Sequence, residues 1–205
     1  MRTKSCFLAL ALLFSTLSVF AQREETVLGE RGWGLSGLWG GYTHAYTSYD
    51  NTDGFNRGGF FGFEFGKSLF VGWTQYSLRD DITLGNGENQ KFDFRFRGGK
   101  IGYAFLPYKA VHPVLNVEIG RGRASLQNEG NDDLFIIQPA AGVEINVFRW
   151  FRLGLEGGYR FARNSDYVSL NDQDLSGAFG KATLKFGFSW GRYHKKQDYK
   201  KNYEN

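Results

Sequence analysis

The sequence predicts an all-β fold: an up-and-down antiparallel transmembrane β-barrel of about eight strands, preceded by a cleaved signal peptide. Three observations support this prediction. Apolar and polar residues alternate with a period of two through most of the chain after residue 21. Long polar connections alternate along the chain with short ones, as in a barrel that has long loops at one end and short turns at the other. Glycine is abundant (28 residues) and aromatic residues make up 18%, which suits close strand packing and aromatic girdles.

The N-terminal segment has the three parts of a secretory signal. Arg2 and Lys4 are basic, residues 7–20 form an apolar run, and the small Ala21 precedes the expected cleavage site. The apolar run is shorter than the ~20 residues that a membrane-spanning helix needs. The predicted divisions are a signal peptide (1–21), an N-terminal periplasmic segment (22–32), an outer-membrane barrel (33–191) and a polar periplasmic tail (192–205).

Cysteine and charge exclude several classes of function. The single cysteine, Cys6, lies within the predicted signal, so the mature chain is expected to have no disulfide, no cysteine nucleophile and no thiolate metal site. The net charge of +4 is modest. A sizeable part of it belongs to the signal and the tail, and we therefore predict no nucleic-acid partner.

Eight segments have the alternation and the length, roughly 9 to 11 tilted residues, of a bilayer-crossing strand. They lie at about 33–46, 58–66, 70–78, 91–105, 111–126, 134–147, 151–161 and 174–191. The facing of strands one and three stays open, because their aromatic residues do not keep to one parity. In strand two, Phe61, Phe63 and Phe65 share one face, and Glu64 lies on the other.

Strand four has the cleanest alternation in the chain, between phenylalanines and charged residues. After Gly98 and Gly99 the apolar residues change parity, which predicts a β-bulge at this glycine pair. In strands five to eight, acidic and basic residues share the polar parity, and aliphatic or aromatic residues occupy the other. The last strand ends in the aromatic run LKFGFSW, which closes with Trp190.

The connections fall into two groups. The polar stretches 47–56, 79–89, 128–133 and 164–173 are predicted to be long loops, whereas 66–68, 106–110 and 148–150 are predicted to be short turns. Long and short connections alternate along the chain. With an even number of strands, both termini are expected at the short-turn end.

The two parities predict two sets of functional residues. The interior of an eight-stranded barrel is only wide enough for side chains, so charges there must pair, and a general porin is not expected. The predicted lumen charge network comprises Glu64, Asp93, Arg95, Arg97, Glu118, Glu144, Arg152, Glu156, Arg160, Lys181 and Lys185. The predicted lipid-facing set comprises Phe61, Phe63, Phe65, Phe92, Phe94, Phe96, Leu153, Leu155, Leu184, Phe186, Phe188 and Trp190.

No pattern predicts catalysis, a metal ion or a cofactor. His44 and His112 have no Ser or Asp partner at a recognisable motif spacing, and we expect both to be surface-exposed residues at strand ends. The acidic loop residues, such as Asp50 with Asp53, lack the spacing of a calcium-binding loop.

The signal, the alternating strands and the terminal aromatic strand together resemble the small outer-membrane β-barrel families of the OmpA-transmembrane, OmpX and opacity-protein kind. The resemblance covers nearly all of the mature chain and is architectural. It implies an outer-membrane location with extracellular loops and periplasmic termini. It also implies contact with outer-membrane lipid and lipopolysaccharide, and with the barrel-assembly machinery during insertion. Two departures are the tail after Trp190 and the lack of an appended peptidoglycan-binding domain.

The resulting functional hypothesis is a non-enzymatic outer-membrane barrel with a structural, adhesive or surface-interaction role through long extracellular loops and an unidentified surface ligand. Two alternatives stay open. One is a lipid-modifying outer-membrane barrel enzyme. The other is a soluble periplasmic lipocalin-like carrier, in which Phe92, Phe94 and Phe96 point inward to a ligand.

Overall fold

A computed structural model describes residues 34–50, 52–84, 90–127, 129–165, 167 and 170–190. The predicted signal peptide, N-terminal segment and C-terminal tail lie outside these residues, as do Trp33 and Gly191. Among the described residues, no helix is long and apolar enough to cross a membrane.

The described chain forms a single antiparallel sheet of nine strands that closes on itself. The strands are β1 (Leu35–Tyr49), β2 (Thr52–Phe65), β3 (Leu69–Leu78), β4 (Ile82–Leu84), β5 (Gln90–Ala104), β6 (Val111–Leu126), β7 (Gly130–Phe148), β8 (Phe151–Arg163) and β9 (Gly177–Ser189). Each strand pairs with the next one along the chain except that β3 and β4 both pair with β5, and β9 pairs with β1. The short β4 therefore continues the barrel strand begun by β3, and the predicted eight-stranded up-and-down barrel is confirmed.

The barrel has two distinct ends. The turn end carries the connections 66–68, 105–110 and 149–150, the beginning of β1 and the end of β9. The loop end carries the connections that follow β1, β4, β6 and β8. Side chains alternate along each strand between the interior and the outward face, as the pleat of a strand requires.

The outward face changes character along the barrel axis. From the turn end, its residues are mostly aliphatic or aromatic, as with Leu115 and Ile119 on β6, which are 49% and 42% exposed. Nearer the loop end, the same face of β6 carries Arg121 and Arg123. On β5 and β6 the outward face is thus an apolar band followed by a charged zone, whereas on β7 the exposed Phe135 lies directly opposite Arg121.

The interior has the opposite gradient. Charged side chains fill its turn-end half, whereas its loop-end half holds an apolar cluster. This loop-end cluster consists of Tyr49, Leu78, Leu84, Phe92, Phe94, Phe96, Ala124, Leu126, Leu134, Ile136, Ala162, Leu170 and Leu175. Beyond the apolar band the barrel therefore has an apolar inside and a polar outside, like a water-soluble β-barrel.

This inversion overturns the prediction for β5. Phe92, Phe94 and Phe96 point inward and are at most 1% exposed, so the expectation that they face lipid is wrong. Asp93, Arg95 and Arg97 lie on the outward face and do not belong to the lumen charge network. The reason is that this part of β5 lies beyond the apolar band, where the charged parity meets the polar surroundings and the apolar parity fills the interior.

The predicted bulge at the glycine pair is also absent from β5. Its pairing with β6 continues without a register shift from Phe92↔Leu126 to Ala104↔Val114. A Cβ atom at Gly98 would clash with the main-chain carbonyl oxygen of Ile119 on β6 and would lie 2.7 Å from Cζ of Phe96. Glycine is required because the β6 backbone and the Phe96 ring both approach this position closely. The apolar residues change parity because the surroundings change along one regular strand. Phe92, Phe94 and Phe96 fill the interior, whereas Ile101 and Tyr103 lie on the outward face in the apolar band.

Two predicted long loops are largely strand. β1 and β2 reach Tyr49 and Thr52, so they are joined by a tight turn in which Asp50 has a φ of 43°. β6 and β7 are joined by residues 127–129. The strands β1, β5, β6 and β7 have 15, 15, 16 and 19 residues, about five or more beyond the 9–11 needed to cross a bilayer. Polar residues at these strand extensions resemble loop residues in composition.

The inward position of Phe94 predicts a large cost for its removal. Phe94→Ala is expected to lower the free energy of unfolding by about 3–5 kcal/mol, because the loop-end cluster keeps a cavity at that site. The matched Phe55→Ala removes a ring that is 56% exposed and pairs edge-on with Tyr46, and should cost at most about 1.5 kcal/mol. Urea unfolding of both refolded variants measures the difference. A larger cost at Phe55 would contradict the inward position of Phe94.

Candidate functional site in the barrel interior

The turn-end half of the interior is organised around Arg152 on β8. Its Nη1 donates to Glu64 Oε2 at 3.0 Å and to Glu144 Oε1 at 3.1 Å, and Nη2 donates to the Ser189 hydroxyl at 3.1 Å. The guanidinium also stacks 3.8 Å from the ring centre of Trp39, which is fully buried. Arg152 therefore joins two buried carboxylates from β2 and β7 in a closed arrangement.

Glu144 is shared with two further side chains. Lys185 on β9 donates to its Oε2 at 3.1 Å. His112 on β6 is 1% exposed, and its Nε2 lies 3.5 Å from Glu144 Oε1. The expectation of a surface-exposed His112 is wrong, whereas His44 is exposed on the outward face. The parity of His112 matches that of Glu118 on the same strand, and this signal could have identified it as an interior residue.

A second set of interior charges lies nearer the middle of the barrel. Lys181 contacts Glu118 at 2.8 Å and Glu156 at 3.3 Å. Lys100 contacts the same two carboxylates at 3.3 and 4.0 Å. All four side chains are at most 5% exposed. Two cations and two anions from four strands thus neutralise one another in a site without access to bulk water.

Arg160 is buried between the charged and apolar halves of the interior. Its Nε donates to the Leu175 carbonyl at 2.7 Å, Nη1 to the Thr47 hydroxyl at 3.1 Å and Nη2 to the Ser48 carbonyl at 2.9 Å. Its guanidinium stacks 4.0 Å from the ring centre of Tyr49. Among the described residues it has no carboxylate partner within 4.0 Å. Arg160 therefore lies in the interior but binds neutral oxygens.

The loop end is covered by the connection between β8 and β9. Its Leu170 and Leu175 are 1% exposed and belong to the loop-end cluster. Tyr167 Oη donates to the Ala124 carbonyl at 2.7 Å. Burial raises the pKa of Tyr167 to about 12, so its phenol stays protonated at neutral pH and keeps donating this bond.

The interior leaves little open space. One cavity of ≈ 30 Å³ lies among the charged residues near the turn end, and another of ≈ 10 Å³ lies beside Gln138 and Tyr76, which hydrogen-bond to each other. A single water needs about 10–15 Å³ of such space. Neither cavity accommodates more than a few waters. No group of three or more potential metal ligands occurs among the residues that the structure describes.

The other predicted site residues are placed as follows. Glu64, Glu118, Glu144, Arg152, Glu156, Lys181 and Lys185 lie together in the interior, and Lys100, His112 and Trp39 join them. Most of the predicted lipid-facing residues are exposed on the outward face: Phe61, Phe63, Leu155, Leu184, Phe186, Phe188 and Trp190. Phe65 and Leu153 are half-buried on that face.

Removal of Arg152 is expected to be costly. Arg152→Met should lower the free energy of unfolding by about 3–5 kcal/mol, because Glu64 and Glu144 lose their shared cation in a buried site. The control Arg79→Met removes an exposed arginine that lies 3.5 Å from Asp80, and should cost at most about 1 kcal/mol. Urea titrations in detergent micelles compare the two variants. The double variant Glu64→Gln/Arg152→Met should recover part of the loss, and strict additivity of the two costs would argue against direct pairing.

Comparisons with known proteins agree with this architecture. Neither protein-family models nor curated protein sequences gave a match. Among solved structures, Neisserial surface protein A is similar with a TM-score of 0.55 and 18% identity over 74% of this chain and 96% of that chain. The N-terminal β-barrel domain of Pseudomonas aeruginosa OprF is similar with a TM-score of 0.54 and 10% identity over 76% of this chain and 99% of that domain. The chain therefore has the fold of the small outer-membrane β-barrels.

Proposed function

We propose that the protein spans the outer membrane as a non-enzymatic barrel, with its loop end at the cell surface and its turn end in the periplasm. Its role there is structural, adhesive or surface-interacting. The similarity in fold to small outer-membrane barrels supports the location. The apolar outward band supports the same location, since a barrel of this height in water would expose it to solvent.

The filled interior is the observation that carries the proposal. From Arg152 near the turn end to Leu170 at the loop end, side chains pack across the barrel, and the larger interior cavity is only ≈ 30 Å³. A conducting pore needs a continuous water path. A lipocalin-like carrier needs an apolar cavity for its ligand. The inward Phe92, Phe94 and Phe96 pack against one another and the rest of the loop-end cluster, with no such cavity among the residues that the structure describes.

The histidines do not favour the alternative of a lipid-modifying enzyme. The buried His112 contacts the Glu144 carboxylate and lies 3.2 Å from the Lys109 carbonyl, so neither contact is with a serine or other hydroxyl that it could activate. The outward His44 packs against the Tyr42 ring at 4.9 Å. The described part of the loop end, in contrast, offers a surface built from strand extensions and from the part of the β8–β9 connection that Arg160 holds through the Leu175 carbonyl.

Cysteine labelling on intact cells tests the location and orientation. The variants Gln173→Cys at the loop end and Lys109→Cys at the turn end each introduce one exposed thiol, and Cys6 is the only native cysteine. A membrane-impermeant maleimide should label the first variant on intact cells and the second only after lysis. Labelling of Lys109→Cys on intact cells would reverse the proposed orientation. Recovery of the protein in the soluble periplasm would refute the membrane location.

The surface role is tested on cells that overproduce the protein. A flexible epitope tag inserted after Gln173 should reduce any gain in attachment of these cells to a surface, because it covers the loop end. The same tag after Lys109 should leave attachment unchanged, since the turn end faces the periplasm. Equal effects of the two tags would argue against a role for the loop end.

A further inference from the structure

The outward faces of β5 and β6 carry an unusual arrangement of positive charge. Arg95 lies directly opposite Arg123 across the two strands, and Arg97 lies directly opposite Arg121. We call these four residues the arginine patch. All four are exposed on the outward face. Side chains at directly opposite positions have Cβ atoms about 4.5–5.5 Å apart, and like charges at that spacing repel each other.

Two arginines of the patch form an ion pair with an acidic residue, whereas the two that lie nearer the apolar band form none among the described residues. Arg95 lies 3.2 Å from Asp93, and Arg123 donates two hydrogen bonds to Asp133, at 2.8 and 3.2 Å. Arg97 and Arg121 form no ion pair within 4.0 Å with any residue in the described part of the chain. The opposed pair Arg97 and Arg121 thus has no carboxylate within ion-pair distance among the described residues, and Asp133, which is already bonded to Arg123, attracts Arg121 only at longer range.

The position of the patch along the barrel shows what surrounds it. On β6, the next outward residues toward the turn end are Ile119 and Val117, and on β5 they are Gly99 and Ile101. The arginines are therefore the first charged residues beyond the apolar band. In a barrel with its loop end at the cell surface, this is the level of the outer-leaflet headgroups.

A groove on the outward face extends the positive charge from the patch onto β2 and β3. It has a volume of ≈ 730 Å³ and is lined by Arg57 and Arg79 together with the two arginines of β5. Its acidic lining residues are Asp81 and Asp93, and Arg79 also lies 3.5 Å from Asp80, so four arginines meet three carboxylates. Gly59 also lines the groove, and the lack of a side chain there contributes to its depth.

We propose that the arginine patch binds the phosphate groups of lipopolysaccharide in the outer leaflet, with Arg97 and Arg121 holding one phosphate between them. Guanidinium groups bind phosphate through paired, charge-assisted hydrogen bonds, and a phosphate anion removes the repulsion between the opposed arginines. The adjoining groove accommodates the sugar headgroup and its further phosphate. This inference rests on the proposed orientation of the barrel, which places the patch in the outer leaflet.

Binding of purified lipopolysaccharide to the refolded full-length mature protein in neutral detergent tests the proposal. Arg97→Gln/Arg121→Gln should weaken binding by about tenfold or more, because it removes the charge-assisted bonds to one phosphate. The matched control Lys109→Gln/Arg149→Gln removes the same charge at the turn end and should change binding by less than about twofold. Migration on a cold detergent gel verifies that each variant is folded.

Three results would overturn the proposal: an equal loss of affinity in the control, undiminished binding of dephosphorylated lipopolysaccharide, or equally tight binding of phosphatidylglycerol. The second result would show that the phosphate groups are not what is bound, and the third would show a general anionic-lipid surface instead of a lipopolysaccharide site. Labelling of Gln173→Cys on intact cells separates this inference from the proposed function. If that label is found and the patch variant binds like the wild type, the patch proposal alone fails. If the label is absent, the proposed orientation fails.

Discussion

The narrow interior of an eight-stranded barrel is the constraint on which the rest of this structure depends. Such an interior holds side chains but little water, so every inward group needs a partner from another strand. In the turn-end half the partners are ionic, as between Arg152 on β8 and Glu64 on β2, and in the loop-end half they are aromatic rings and aliphatic groups. Both halves use long-range contacts that exist only when the barrel is closed.

The change from an ionic to an apolar interior accompanies the opposite change outside. Where the outward face is apolar, its aliphatic and aromatic side chains are in contact with lipid. The interior at that level does not need to be an apolar core and can hold paired charges. Past that band the outward face of β5 carries Arg95 and Arg97, and the apolar residues move inside to provide the cohesion of a soluble core. The pairing of β5 with β6 crosses this boundary without a bulge. The same regular strands therefore pass from the apolar band to the polar zone of the outward face.

This boundary explains what the sequence could and could not predict. The strand order, the strand count and the pairing of β9 with β1 follow from the alternation and the even number of segments. Interior residues such as Glu144 and Lys181 share the polar parity of strands within the apolar band. The sequence-based prediction for Phe92, Phe94 and Phe96 is wrong because alternation defines two faces of a strand but does not show which face meets lipid, water or the interior. Polar strand extensions near Tyr49 and Gly130 resembled loops for the same reason.

Arg160 has a consequence for how the barrel assembles. It originates on β8, reaches past β9, and binds the main chain and a hydroxyl of β1, so it spans the junction between the first and last strands. Its partners on β1 are 112 and 113 residues away in sequence, and closing so long a loop is slow. A buried guanidinium without these partners is strongly unfavourable. A partly closed barrel therefore has a higher free energy, because Arg160 is buried there without its partners on β1. This makes closure of the barrel cooperative and opposes separation of β1 from β9.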